Sequence, residues 1–194
     1  MSPSTHPAQR ARQRILETAY ELFSRRSVRA VGVDEVIEKA GVAKATMYRH
    51  FPSKDDLIIA FLQQRELRWT LAWVEAEARR RGATAEEQLL AVFELFDGWF
   101  HQPDFEGCAF INVLLEIGDR QHPIGRASVQ HLANIRTVIS KLAGEAGLRD
   151  PEGFARSWHI LMKGSIVSAC EGDTEAARRA MKMARRLIDE HRPT

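Results

Sequence analysis

The chain has 194 residues, with 28 basic and 26 acidic side chains, 44% hydrophobic residues and two cysteines. Such a length suits one compact domain or a small module joined to a larger one, and an apolar fraction near the globular norm excludes disordered, collagen-like and fibrous classes. The apolar stretches Cys108–Leu115 and Trp158–Cys170 are broken by Asn112 and Lys163 and fall short of the ~20 residues that cross a bilayer. Met1 to Arg14 is polar and basic without an apolar h-region, so no signal peptide is expected. Cys108 and Cys170 lie far apart with no CxxC spacing, which points to neither a disulfide scaffold nor a zinc site. The expectation is a cytoplasmic protein with no membrane partner.

Charge is unevenly spread. Up to Lys54 there are ten basic residues against five acids, and beyond it 18 against 21. A basic first quarter on a mildly acidic body suggests an anionic partner for that quarter alone.

Helical periodicity dominates, and no alternating strand pattern appears. Ile15, Ala19, Leu22 and Phe23 form one stripe of an amphipathic helix from about Ala8 to Arg26. A short helix over Val33–Ala40 is stopped by Gly41, and a second from about Ala43 to His50 is closed by Phe51 and Pro52. Ser53 caps a long helix with Asp55 and Asp56 in its first turn, continuing through Trp69 and Trp73 to Arg81 and ending at Gly82. Thr84 with Glu87 is a capping box that opens a helix to about Phe100. An apolar helix spans about Gly107 to Ile117. Pro123 opens another that ends near Gly147, Asp150 and Pro151 start the next, and Asp173 caps the last. The total is nine helices in an all-α fold.

The segment from Gly32 to Lys54 carries the functional signal. Two helices of about eight residues joined by a tight Gly-containing turn make a helix-turn-helix. The second is only ~10 Å long at 1.5 Å per residue, which fits a major groove ~12 Å wide. Met47 and Phe51 face inward with Val42, whereas Lys44, Ala45, Tyr48 and Arg49 fall on the opposite face, flanked by Thr46 and His50. A solvated helix face accounts for Lys44 and Arg49 but not for an exposed Tyr48 beside an alanine.

The stretch GVAKATMYRHFPSK (Gly41 to Lys54), preceded by Val36 to Ala40 and by a helix of the Ile15–Phe23 type, resembles the DNA-binding domain of TetR-family transcriptional regulators. The resemblance covers about Gln9 to Leu62; the remainder is similar in helix order. It implies that residues 1–52 form a DNA-binding helix-turn-helix domain and residues 53–194 a ligand-binding and dimerisation domain. It implies that Lys44, Ala45 and Thr46 meet base edges or nearby backbone, and that Tyr48 bonds a phosphate. Arg49 would reach a guanine through its bidentate fork, and His50 and Lys54 would each touch a phosphate. Arg10, Arg12 and Arg14 would add flanking contacts. Two positions depart from the family pattern: Gly32 and Ala43 stand where a hydroxyl often caps the two motif helices, and Ala is a poor cap by ~1 kcal/mol.

The resemblance further implies a homodimer formed by the last two helices. Trp158, Met162, Ser165 and Ala169 run down one side of the eighth helix, and Ala177, Met181, Ala184 and Ile188 down the ninth; both stripes suit either a four-helix bundle across a two-fold axis or the chain's own core. Aromatic side chains gather in the middle helices, where Trp69, Trp73, Phe96, Trp99, Phe100 and Phe110, with Asn112 and Glu116, would line a pocket for a hydrophobic or amphipathic small molecule, although a plain core needs aromatic rings too and suits any single one of them as well. Glu116 stands out as a carboxylate on an apolar helix, which must be exposed or paired. No cofactor is expected, and His101, His131 and His159 lack metal-ligand spacing. The resulting expectation is a ligand-responsive repressor, released from a palindromic operator in double-stranded DNA when ligand tilts the long helix. The alternatives are a helical ligand carrier or adaptor without DNA binding, or a small helical enzyme. The motifs G-x-S-x-G, H-E-x-x-H, P-loop and G-x-G-x-x-G are all missing from the sequence, so no enzyme is expected.

Overall fold

The computed structural model describes residues 7–193; the first six residues of the expected polar start lie outside them. The helices are α1 (Pro7–Arg25), α2 (Val33–Ala40), α3 (Lys44–His50), α4 (Lys54–Arg65), α5 (Ala76–Arg81), α6 (Ala85–Phe100), α7 (Ala109–Ile117), α8 (Pro123–Glu145), α9 (Pro151–Cys170) and α10 (Ala176–His191). Between α4 and α5 the chain stays helical but widens into a π-helical run, Glu66–Glu75. The described residues therefore form nine continuous helical runs and no strand, an all-α fold with an N-terminal helix-turn-helix. The π-helical stretch is a departure from the uninterrupted α-helix expected there; such geometry is rare and frequently falls at functional sites.

Local chemistry sets most boundaries where the residues suggest. Gly41 stops α2 in the left-handed conformation at φ 60° and returns its N–H to Glu38 and Ile37, a geometry glycine adopts without steric penalty. Ser53 Oγ accepts from the Asp56 N–H at 3.1 Å. The Thr84–Glu87 capping box is complete, and Asp150 accepts from the Gly153 N–H ahead of Pro151. Neither Gly32 nor Ala43 supplies a side-chain cap. The last helix begins later than expected. Asp173 Oδ1 takes the Glu175 N–H at 2.9 Å and pairs with Arg179, which holds a turn, and helix starts at Ala176.

The chain forms two compact units: one runs to Arg65 and adds Ala109–Val129, the other comprises Glu66–Cys108 and the chain from Gln130 on. The first unit thus extends past the reading motif that ends at residue 52 and includes α4 and α7. Helices of 19, eight and seven residues bury too little apolar surface to stand alone. In that unit Ile15, Ala19, Leu22 and Phe23 of α1 are buried, as are Leu57 and Phe61 of α4, and Phe61 meets Tyr20 and Phe23 edge-on at 5.5 and 5.6 Å.

In the second unit α6 packs against α5, α9 and α10. Trp158 is fully buried with its ring 5.2 Å from both Phe93 and Phe154. The stripes expected to dimerise are corrected here. Trp158, Met162, Ser165, Ala184 and Ile188 are all buried within the chain itself, and Ser165 donates its hydroxyl to the Met162 carbonyl. Of the expected set, Ala169 and Met181 stay partly accessible. The apolar side chains left in solvent on these helices are Ile160, Val167 and Met183, on faces other than the one read as the interface.

His159 is buried at 2% exposure, and its Nδ1 has no hydrogen-bond partner among the described residues. Burial, with Lys163 and Arg136 adding positive charge nearby, lowers its pKa from 6.5 to about 3. The unfolded chain takes up a proton on this imidazole below about pH 6.5 that the native state refuses. The stabilising effect of a neutral His159 is therefore complete above that pH and lost progressively as pH falls toward 3.

Two measurements follow from this packing. Trp158→Ala should lower the free energy of urea unfolding by about 3–5 kcal/mol while leaving the oligomeric state in gel filtration unchanged. Between pH 7.5 and 5.0 the wild-type protein should lose more stability than His159→Leu, by up to ~1.4 kcal/mol per pH unit below 6.5; parallel profiles would show that His159 is not held neutral.

Candidate nucleic-acid interface

The recognition helix α3 is seven residues long, and Met47 is its one buried side chain. Met47 and Phe51, at 0% and 2% exposure, lock it to α1 and α2 beside Val36. The same periodicity turns Lys44, Ala45, Tyr48 and Arg49 outward, all exposed, with Thr46 and His50 half-buried at the edges. Tyr48 is 41% exposed, which leaves its ring and hydroxyl open to a partner with an apolar and a polar side. Arg49 makes no ion pair or hydrogen bond among the described residues. Lys44 Nζ sits 3.4 Å from Asp34 Oδ1 with both groups largely in solvent, a pair worth little and easily surrendered. Lys54, the first residue of α4, donates one N–H to the Arg29 carbonyl at 3.4 Å, leaving two ammonium hydrogens for another acceptor. The seven expected DNA-contacting residues thus fall on the outer side of α3 and at the head of α4. Arg12 is placed otherwise: its guanidinium lies over the Phe51 ring at 5.0 Å, a cation–π contact that anchors the end of α3.

Glu116 does something the sequence does not announce. Its carboxylate accepts the Ser27 hydroxyl, the Val28 N–H at 3.1 Å and the Arg29 N–H at 2.5 Å. Both oxygens are spent on the turn between α1 and α2. The expectation that Glu116 lines a ligand pocket is corrected accordingly: it is the paired carboxylate of the two possibilities, and its partner is the chain's own backbone. Phe110 and Asn112 lie on the same helix, α7, in the first compact unit, Phe110 buried and Asn112 exposed.

In the second unit a narrow cavity runs between the π-helical segment, α6, α8 and α9, lined by Trp69, Thr70, Val74, Val92, Ile135, Ile139 and Met162 among others. Its free volume is about 10 Å³, room for a single water. Of the expected ligand-contacting residues Trp69 lines it. Trp73, Phe96 and Trp99 stack on Trp69 with ring centroids 5.0–5.9 Å away, and Phe100 packs on Phe96 and Trp99. Sequence reasoning missed Thr70 and Met162. It also missed a polar cluster further along the same helices: Glu66 Oε2 lies 2.9 Å from His131 Nδ1, and Glu66 Oε1 accepts from Asn134 at 2.7 Å. The signal was present, because Glu66 and Thr70 interrupt the face that carries Trp69 and Trp73. Among the described residues no His, Cys, Asp or Glu cluster is placed to hold a metal.

Residues 15–61 match the family described as bacterial regulatory proteins, tetR family. A TetR-family transcriptional regulator from Streptomyces coelicolor superposes with TM-score 0.84 at 31% identity, over 95% of this chain and 97% of that one. A putative TetR transcriptional regulator from Streptomyces avermitilis gives 0.81 at 31%, over 93% and 97%. The HTH-type transcriptional activator FasR of Mycolicibacterium smegmatis is 41% identical over 58 residues, 30% of this chain and 26% of that protein. This chain thus spans about a quarter of the length of the curated relatives it matches.

Proposed function

The chain belongs to the TetR family of transcriptional regulators, and from that premise we propose that it binds a palindromic operator as a homodimer and acts as a repressor released by a small hydrophobic or amphipathic molecule. Residues 1–52 are the DNA-reading part and residues 53–194 the ligand-binding and dimerising part. The observation that carries this reading is the outward face of α3: Lys44, Tyr48 and Arg49 exposed around Ala45, with Arg49 unpaired among the described residues. The small alanine lets the helix approach the bases. Lys44, Thr46 and Arg49 read or flank base edges, with Arg49 suited to the O6 and N7 of guanine. Tyr48, His50 and Lys54 hold phosphates and fix register without reading sequence.

Two copies are needed because one seven-residue helix makes few contacts; a two-fold pair reads half-sites ~34–36 Å apart. Ile160, Val167 and Met183, at 64%, 49% and 55% exposure, support pairing through α9 and α10. Gly164 lies between the first two, and a Cβ added there would meet nothing within 4 Å, so a partner helix can come close.

The cavity beside Trp69 supports the ligand reading. Trp69 Nε1 and Thr70 Oγ1 are buried without a hydrogen-bond partner among the described residues, and an unmet buried donor costs about 1–3 kcal/mol. An apolar molecule carrying one hydrogen-bond acceptor would satisfy them, but it must first widen a space now fit for one water. That widening acts on the helical run that begins at Lys54, so ligand binding and operator binding oppose each other. A coupling of ~1–3 kcal/mol lowers operator affinity 5–150-fold.

Retention on duplex DNA should fall steeply with salt, by ~10³–10⁵-fold between 50 and 200 mM for six to ten phosphate contacts; a carrier or enzyme would show no such slope. Tyr48→Ala and Lys54→Ala should weaken binding to all sequences alike, Lys54→Ala also flattening the salt slope by about one. Arg49→Ala should instead relax preference at one base position in a sequence-selection assay, and an unchanged preference would remove it from the reading set.

A further inference from the structure

We propose that Glu116 is the residue that positions the DNA-reading head, tying the turn between α1 and α2 to α7 and, through that turn, setting the Lys54 ammonium. This rests on the DNA-binding reading above, and it gives a role in operator binding to a residue far outside residues 1–52.

The geometry is specific. Residues Ser27 to Arg29 lie in the turn between the end of α1 at Arg25 and the start of α2 at Val33, where backbone N–H groups must find partners outside a helix ladder. Ser27 Oγ, Val28 N and Arg29 N all donate to the one carboxylate. Charge-assisted bonds of this kind are about twice as strong as neutral ones. Val28 and Val31 are buried, at 1% and 0% exposure, so the turn is pinned from the apolar side as well. Arg29 then links outward in two directions. Its guanidinium donates to the Ile117 carbonyl at 3.4 Å, the residue next to Glu116, and its own carbonyl accepts from Lys54 Nζ at 3.4 Å. A second tie joins the same regions, His122 Nε2 lying 3.5 Å from Asp55 Oδ2.

The consequence is a continuous path from a carboxylate on α7, through the peptide of Arg29, to the cation expected on a phosphate. When Glu116 holds the turn, the Arg29 carbonyl is fixed and so is the direction of the Lys54 side chain. When Glu116 is lost, the turn keeps its valines but not the orientation of its peptides, and Lys54 returns to the wide rotamer freedom of a surface lysine. Glu116 touches no DNA in this scheme. It is a positioning residue.

The test uses the full chain and the duplex that wild-type protein selects from a randomised pool. Glu116→Gln keeps the size of the side chain but sets an amide NH2 against backbone N–H donors. Its affinity for the selected duplex should drop by roughly tenfold, the loss expected from about one charge-assisted bond. Its salt slope should flatten by about one, as Lys54→Ala does. The double variant Glu116→Gln/Lys54→Ala should bind about as weakly as Lys54→Ala alone. A merely structural role would lower the folded fraction, leave the slope intact and add to the Lys54→Ala effect; that result overturns the proposal, as does wild-type affinity in Glu116→Gln. Should Glu116→Gln not fold, as judged by circular dichroism, Ser27→Ala takes its place. It removes one donor from the other side, and it should move affinity and slope in the same direction by less, again without adding to Lys54→Ala. A wild-type chain that selects no sequence overturns the DNA-binding reading itself, and this inference with it.

Discussion

The recognition helix has seven residues and buries a single side chain, Met47, so it cannot hold its own position and must take it from its surroundings. Several features of the first unit answer that need. Phe51 extends the buried edge of α3 by one residue, with Arg12 stacked over its ring. Gly41 turns the chain sharply enough to set α3 across α2. Phe61 of α4 receives Tyr20 and Phe23 of α1. With the inward side so occupied, the outward side is left to Lys44, Ala45, Tyr48 and Arg49, and chemistry useful to a polyanion sits on it.

The second unit works on the opposite principle. Its interior packs Trp69, Trp73, Phe96 and Trp99 against one another, and it leaves buried donors unmet at Trp69 and Thr70 among the described residues. A core that is fully satisfied has no reason to open. The narrow slot, the two unmet donors and the π-helical wall are the features on which the proposed ligand reading rests. The external faces of α9 and α10 likewise keep Ile160, Val167 and Met183 in water, although the bulkier side chains of those helices are used internally.

What could be read in the residues was local. The α1 stripe, the Gly41 stop, the Thr84–Glu87 box and the Asp150–Pro151 start each depend on neighbours within four residues, and the structure forms all of them. The sidedness of α3 was legible for the same reason. Non-local partners were not. The periodicity of α9 identifies Trp158 and Met162 as one stripe, but α9 carries a second apolar edge at Ile160 and Val167, and nothing in the spacing says which edge meets the chain's own α6. Glu116 was recognisable as a carboxylate that needed a partner, yet that partner lies 87 to 89 residues away. The π-helical run left no trace in the pattern, because its apolar positions also fit an ordinary α-helix within one turn.

The reading head is discontinuous in the gene. Its compact unit takes residues up to Arg65, omits the next stretch, and recovers Ala109–Val129, the segment that carries Glu116. A single recombination crossover that swapped the first sixty residues between two such regulators would deliver the recognition helix without the carboxylate that braces its entry turn. On the role proposed for Glu116, exchange of operator preference by domain shuffling requires that the recipient already carry a matching acid on its own α7. Point substitutions on the exposed face of α3 face no such barrier, which makes them the easier evolutionary route to a new target sequence in this fold.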